Sequence, residues 1–184
     1  MPPKVKITRE EIIAAAVSIV RRSGAEAVNA RDVARELNCS TQPVFSNFET
    51  MEELRAAVIY AADELYQEYT RREIEAEKYP VYKATGVAYI RFAREEKELF
   101  KLLFMRDRSA EAIPPFPEAL SDIVQTTTGI AGERAEFFHL EMWAYVHGIA
   151  SMMATNYLDL EFDLVSEMMT DVYQGLIKQH STKE

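Results

Sequence analysis

Residues 29–48 read NARDVARELNCSTQPVFSNF and contain the signals of two short helices separated by a turn. Asn29 is a preferred helix cap, and the apolar residues after it recur at the spacing of one helical face up to Leu37. Asn38 follows, a residue that tolerates the positive φ of a tight turn. The stretch therefore predicts a short helix that ends in a tight turn.

A third short helix is predicted after this turn. Ser40 is expected to cap it, which places Pro43 at the third position, where the missing amide hydrogen has no helical partner to lose. Val44 and Phe48 lie four residues apart and predict the buried face. Two helices joined by the turn 38–41 form the pattern of a helix-turn-helix.

The rest of the chain also has helical periodicity. Thr8 and Glu11 predict a capping box at the start of the first helix, and Gly24 predicts its end. No stretch alternates with period two for long, so strands are not expected. Further helices are predicted over 51–77, 81–95, 97–106, 118–127, 133–155 and 162–179, with a proline-rich connector at 113–117. The fold class is therefore all-α: a three-helix helix-turn-helix domain followed by a larger helical bundle.

Composition limits the class of protein. The chain has 184 residues, of which 48% are hydrophobic and 28% charged, and this excludes an intrinsically disordered chain. No apolar run approaches the roughly 18 residues of a membrane span, and the N-terminus lacks the apolar core of a secretion signal. A single cysteine fits a reducing compartment. We expect a cytoplasmic protein with no membrane partner.

The net charge of -9 is unevenly distributed. Residues 1–48 carry seven basic and five acidic side chains, a balance of +2, whereas residues 49–184 carry 14 basic and 25 acidic ones, a balance of -11. Such asymmetry is a hint of a polyanion-binding segment attached to an acidic body, although chance variation along an acidic surface gives the same pattern.

Polar residues of the third helix suit the major groove of double-stranded DNA. Gln pairs bidentately with adenine, Ser and Thr bond to either base type, and proline offers an apolar contact to a thymine methyl. The predicted base contacts are Thr41, Gln42, Pro43 and Ser46. Basic residues near the first two helices are expected to neutralise phosphates: Lys4, Lys6, Arg9 and Arg31. From the pattern alone, a generic three-helix bundle with a solvated polar face is an equal alternative.

Residues 12–54 resemble the DNA-binding domain of TetR-type transcriptional regulators. The matching residues are Ile12-Ile-Ala-Ala-Ala16, Gly24, Asn29-Ala-Arg-Asp-Val-Ala34, Ser40 through Phe48, and Glu53-Leu54. The C-terminal part is similar to a subgroup with a Trp, His, Gly signature, through Trp143, His147 and Gly148. The resemblance implies a homodimeric regulator, usually a repressor, that leaves its operator when a small molecule binds the C-terminal domain.

Two departures from the family pattern affect phosphate contacts. The family usually has tyrosine at the position of Phe45 and lysine at that of Met51, and both residues ordinarily touch phosphates. Asn38 replaces a usual turn glycine and tolerates the same backbone. We predict phosphate contacts at Lys4, Lys6, Arg31, Ser40, Phe45 and Asn47. The two departures indicate either weaker sequence-independent affinity for DNA or compensation by Lys4, Lys6 and the start of the third helix.

The larger domain is predicted to bind an unknown, largely apolar small molecule. It is rich in aromatic and methionine side chains, which line apolar pockets and adapt to varied shapes. The candidate ligand-binding residues are Phe92, Phe104, Met142, Trp143 and His147. For each of these residues core packing is the competing interpretation.

The sequence presents no case for an enzyme. The three histidines lack metal-ligand spacing, and no phosphate-binding glycine loop or nucleophile elbow occurs. Cys39 is interpreted as a small buried hydrophobe, with a redox switch as the lesser alternative. No catalytic residue, metal or cofactor is predicted.

Dimerisation is predicted through helices 133–155 and 162–179, which carry apolar residues beyond a single stripe. We predict two domains, 1–50 for DNA binding and 51–184 for ligand binding and dimerisation. The sequence thus predicts a ligand-responsive transcriptional repressor. The alternative is a ligand-binding or interaction module whose degenerate helix-turn-helix lacks specific DNA binding.

Overall fold

The computed structural model of the chain describes residues 7–109 and 118–181. Within these residues the only regular structure is helical, which confirms the predicted fold class. The chain divides into two compact units, one comprising Met1–Leu65 and Glu96–Arg106 and the other Tyr66–Glu95 and Asp107–Glu184. The predicted boundary at residue 50, between a DNA-binding domain and a ligand-binding and dimerisation domain, stays a prediction.

The first unit consists of short helices around α1. Helices α2 and α6 pack against α1, and α3 packs against both α1 and α2. The buried side of α1 includes the apolar residues that its spacing predicts, among them Ile12 and Val20. The helices of this unit are α1 (Arg9–Ser23), α2 (Ala30–Glu36), α3 (Gln42–Asn47), the first part of α4 (Met51–Glu75) and α6 (Lys97–Phe104), with a 3-10 turn at Ala25–Ala27.

Most of the predicted local signals in this unit are confirmed. Thr8 and Glu11 form the reciprocal capping box of α1. Gly24 ends α1 at φ 80° and ψ 168°, a backbone region that is accessible to glycine alone. Asn29 accepts two backbone amides at the start of α2, and Asn38 adopts a φ of 50° in the turn. The turn of the helix-turn-helix therefore has the predicted backbone.

The prediction that Ser40 caps the third helix is wrong. α3 begins at Gln42 with Thr41 as its cap residue, and no side chain bonds to the cap amides. Pro43 consequently lies at the second position of the helix instead of the third. Proline permits this later start, because the second amide also has no helical partner and no hydrogen bond is lost.

The second unit is built around α5 and α8, which pack along each other, and α7 and α9 add to this pair. Its core includes Tyr82, Val124 and Phe138, with residues of α9 packed against them. The helices are α5 (Val81–Glu95), α7 (Glu118–Thr128), α8 (Glu133–Ala154) and α9 (Phe162–Ser181), together with the second part of α4.

The predicted helix bounds agree with the structure to within two residues at each end, and α5 agrees at both ends. The predicted connector at 113–117 lies outside the described residues. In the two described segments, no helix has the length and apolar character needed to cross a bilayer.

Candidate nucleic-acid interface and effector region

The orientation of α3 is set by two buried side chains. Val44 is completely buried and Phe48 is 2% exposed, as predicted. Since these residues point into the core of the first unit, the opposite side of α3 faces outward, and Gln42, Phe45 and Ser46 are all exposed there. The helix therefore presents a mixed polar and aromatic surface to its surroundings.

The four predicted base contacts differ in availability. Gln42 is exposed, and its side-chain amide bonds to none of the described residues, so both of its hydrogen-bonding groups are available. The Ser46 hydroxyl donates to the Gln42 carbonyl at 2.8 Å, which leaves its oxygen as an acceptor. Thr41 and Pro43 are half-buried at the start of the helix. Gln42 is thus the best-placed base-contacting residue of the four.

The predicted phosphate contacts differ from one another in exposure and in their ability to bond a phosphate. Lys4 and Lys6 lie outside the described residues. Ser40 is exposed in the turn. The Asn47 amide donates to the Pro43 carbonyl at 2.8 Å, so it is partly engaged within α3. Phe45 is 55% exposed and has no polar group with which to bond a phosphate.

Arg31 differs from the other described cations of residues 7–48. It is exposed in the first turn of α2, and it forms no ion pair with any described residue. The remaining arginines are all paired: Arg9 with Glu53, Arg21 with Glu96, Arg22 with Glu36, and Arg35 with Asp32. Arg22 also lowers the pKa of the Glu36 carboxyl through its hydrogen bonds. Most of the positive charge in this segment is therefore neutralised internally.

Arg9 connects three elements of the first unit, a role that the sequence analysis missed. Its Nη1 donates to the Asn47 carbonyl at 2.6 Å, and its Nη2 donates to Glu53 Oε1 at 2.8 Å. The guanidinium also lies 4.0 Å above the centre of the Phe48 ring. These contacts argue against the predicted phosphate contact of Arg9. The pairing is tertiary, and no local spacing in the sequence indicates it.

Acidic side chains surround the start of α4, next to α3. Thr50 Oγ1 accepts the Glu53 amide, and Glu53 Oε2 accepts the Glu49 amide at 2.8 Å. The pKa of Glu53 is lowered first by that backbone amide and then by Arg9, so its carboxylate stays charged. An open depression of about 610 Å³ lies here, and its wall contains Phe45, Ser46, Asn47, Phe48, Glu49, Thr50 and Glu53. Since Arg9 pairs with Glu53, the negative charge beside Phe45 that is left unpaired among the described residues is that of Glu49.

Two tyrosine–histidine pairs join α5 to α8. Tyr82 Oη lies 3.0 Å from His139 Nδ1, and Tyr89 Oη lies 2.8 Å from His147 Nδ1. Burial raises the pKa of both tyrosines and lowers the pKa of both histidines. Near neutral pH each hydroxyl is therefore a donor to a neutral imidazole. The sequence contained a signal for these pairs. The tyrosines are seven residues apart and the histidines eight, and both spacings place two residues on the same face of a helix.

The candidate effector residues do not form one cluster. Trp143 stacks on His147 with 5.0 Å between ring centres, and ring contacts lead from His147 through Tyr89 and Tyr66 to buried Phe92. Met142 belongs instead to the core cluster around Tyr82 and Phe138. Phe104 is part of the first unit, where its ring lies 5.1 Å from that of Phe100. The structure thus brings Trp143 and His147 together and connects Phe92 to them indirectly.

The surface of α8 carries exposed apolar side chains. Phe137, Leu140 and Trp143 are exposed on one side of the helix, and Leu164 is exposed on α9. Part of the apolar excess that predicted a dimer interface packs inside the second unit instead. The prediction that these side chains contribute to a dimer interface is wrong, because they are buried: Met142, Ile149, Met153, Val165 and Met169. The exposed set is smaller than predicted but lies on the predicted helices.

Comparisons with known proteins agree with this architecture. A family model described as the C-terminal domain of tetracyclin repressor-like proteins matches residues 82–173, half of the chain. A solved structure described as a protein with unknown function from Rhodococcus sp. RHA1 has a TM-score of 0.71 to this chain. It shares 22% identity over 97% of this chain and 98% of that chain, a level at which the likeness concerns the fold. No curated protein matches the sequence.

Proposed function

Because the chain belongs to the TetR family through its tetracycline repressor-like C-terminal domain, we propose that it is a ligand-responsive repressor of transcription. It binds a double-stranded DNA operator in the cytoplasm as a homodimer and leaves that operator when a small, largely apolar effector binds. Residues 1–50 serve DNA binding, and residues 51–184 serve effector binding and dimerisation.

The observation that carries this proposal is the orientation of α3. The helix is fixed from inside by Val44 and Phe48 and presents Gln42 and Ser46 outward. A short exposed helix with an amide and a hydroxyl oxygen is suited to the donor and acceptor groups of the major groove. This unit occurs on the same chain as a C-terminal domain of the repressor type.

The contacts with DNA divide into two classes. Thr41, Gln42, Pro43 and Ser46 meet base edges, and Lys4, Lys6, Arg31, Ser40 and Asn47 meet the phosphates. Base contacts determine specificity, whereas phosphate contacts determine orientation and salt dependence. Gln42→Ala therefore loses about 1–3 kcal/mol at particular base pairs, and Lys6→Ala weakens binding evenly across sequences.

The effector is proposed to act at the aromatic region of α5 and α8. Trp143 and His147 form its polar and stacking wall, and Phe92 is the further candidate contact in the same unit. A bound molecule shifts the protein toward a non-binding state only by its difference in affinity for the two states. Two recognition helices must lie about 34–36 Å apart to enter successive major grooves, so a modest change in their separation is sufficient for release.

The second copy of the chain is proposed to pack against α8 and α9. Phe137, Leu140 and Leu164 are exposed there and have the apolar character of an oligomer interface. Phe137→Glu with Leu140→Glu converts the dimer into a monomer in sedimentation experiments. Tyr60→Glu, at an exposed aromatic residue of the first unit, is the matched control. A sedimentation coefficient that is the same for both variants contradicts this interface.

The test of function is sequence-specific binding. The full chain is used to select duplexes from a random library and from the DNA flanking its own gene. The affinity for the selected site is then compared with that for random duplex at several salt concentrations. A specificity ratio of 10³ or more is expected. A ratio near one contradicts the proposed repressor.

A second candidate function is a ligand-binding or interaction module without specific DNA binding. The start of α4 favours it, since Met51 lies among Glu49, Glu52 and Glu53, and the cations beside it, Arg55 and Arg9, are already paired with Glu52 and Glu53. The same selection distinguishes the two functions. A ratio near one combined with saturable binding of an apolar ligand supports the module.

A further inference from the structure

We propose that Phe45 is a base-contacting residue that recognises the methyl group of a thymine, instead of a phosphate contact. This inference rests on the proposed function, because it requires a specific operator. It assigns a new role to one of the residues at which this chain departs from the pattern of TetR-type regulators.

The position of the Phe45 ring is fixed by its neighbours. Val44 precedes it and Phe48 follows three residues later, and both of these side chains are buried. A helix anchored by residues 44 and 48 cannot rotate to bury residue 45. The ring consequently remains 55% exposed on the outward side of α3.

The chemistry around Phe45 disfavours a phosphate. A benzyl side chain has no donor, so it forms no hydrogen bond to a phosphate oxygen. The depression beside the ring is lined by Glu49 and Glu53. Arg9 pairs with Glu53 and donates to the Asn47 carbonyl, so its donors are already engaged, and exposed Glu49 carries the remaining negative charge. A phosphate beside Phe45 is repelled by the Glu49 carboxylate and receives no hydrogen bond from the phenylalanine ring.

The chemistry of the major groove offers a better partner. The thymine methyl is the apolar group on its floor, and phenylalanine is among the side chains that contact it. Gln42 lies three residues before Phe45 on the same exposed side. Three residues of helix rise about 4.5 Å, and consecutive base pairs rise about 3.4 Å. Phe45 therefore contacts the base pair next to the one that Gln42 contacts.

The test is a double-mutant cycle in which the thymine methyl group and the Phe45 ring are removed singly and together. Each thymine of the selected operator is replaced in turn by deoxyuridine, which differs only in lacking the methyl group. Dissociation constants are measured for the full chain and for Phe45→Ala. At one thymine per half-site the replacement weakens binding to the full chain by about three- to five-fold, the effect of one buried methyl group. For Phe45→Ala the same replacement has no effect.

Two further variants test the assignment. Phe45→Tyr keeps an aromatic ring and retains the dependence on the methyl group. Tyr60→Ala removes an exposed ring from α4 and leaves the deoxyuridine effect unchanged. Circular dichroism is used to check that Phe45→Ala is folded, which is expected because the residue is more than half exposed.

The possible failures are distinguishable. If deoxyuridine weakens the full chain and Phe45→Ala by the same factor at every position, another residue contacts the methyl group and the inference is overturned, while the proposed repressor stands. If no thymine replacement affects the full chain, the inference is likewise overturned. If the selection yields no preferred sequence, both the inference and the proposed function are overturned.

Discussion

Two phenylalanines of the helix-turn-helix lie three residues apart, and replacing each by alanine is expected to change the stability of the protein by very different amounts. Phe48 is 2% exposed, so Phe48→Ala removes a buried ring and leaves a cavity. Such changes cost about 3–5 kcal/mol of unfolding free energy. Phe45 is 55% exposed, so Phe45→Ala changes stability by less than about 0.5 kcal/mol. Its effect falls instead on DNA binding.

The assay is urea unfolding followed by far-ultraviolet circular dichroism, which reports on all helices. Trp143, the single tryptophan, lies in α8 of the second unit, so its fluorescence reports on that unit separately. Phe48→Ala is expected to lower the midpoint of the first unit by about 1 M urea or more. If Phe48→Ala does not fold, Phe48→Leu is measured, with an expected loss of about 1 kcal/mol.

Equal loss of stability from Phe45→Ala and Phe48→Ala refutes the reasoning, because it means that α3 is not oriented by its buried face. A large loss of stability from Phe45→Ala alone refutes the proposed outward surface as well. In that case the effect of Phe45 on DNA binding is a consequence of unfolding.

Three further changes test the structure. Tyr82→Phe removes the hydroxyl bound to His139 and is expected to cost about 1 kcal/mol in urea unfolding, whereas Tyr157→Phe at an exposed site costs nothing. Burial lowers the pKa of His139 and His147, so the unfolded chain binds protons first, and stability falls as the pH drops below about 6.5; an unfolding midpoint that is constant from pH 7.5 to 5.5 contradicts this. Gly24→Ala forces a side chain into a glycine-only backbone region and is expected to cost about 1–3 kcal/mol, and an unchanged melting curve contradicts that.

The sequence predicted those parts of the fold that depend on local interactions. A capping box, a helix-ending glycine and an asparagine in a turn are satisfied within a few residues, so Thr8, Gly24 and Asn38 could be placed without knowledge of the tertiary structure. The buried face of α3 followed from the spacing of Val44 and Phe48 for the same reason.

The features that the sequence did not reveal depend on distant partners. Arg9 has the charge of a phosphate contact, and only its position beside Asn47 and Glu53 reveals the internal role. The start of α3 was misplaced because the first amides of a helix lack helical partners, so proline at the second and third positions is equally acceptable. The effector residues share an apolar character that also builds a core, and composition cannot separate Met142 in the core from exposed Trp143.

The internal pairing of arginines makes a quantitative prediction for DNA binding. Of the cations in each DNA-binding domain, Lys4, Lys6 and Arg31 are the proposed phosphate contacts, which amounts to six in a dimer. The logarithm of the binding constant should therefore fall with the logarithm of salt concentration at a slope of about −5. Arg31→Ala removes two contacts per dimer and reduces the slope by about 2. Arg22→Ala, at a residue paired with Glu36, leaves the slope unchanged. If Arg22→Ala reduces the slope as much as Arg31→Ala does, Arg22 exchanges Glu36 for a phosphate on binding, and if neither variant reduces it, Arg31 contacts no phosphate; either result contradicts the count of six contacts.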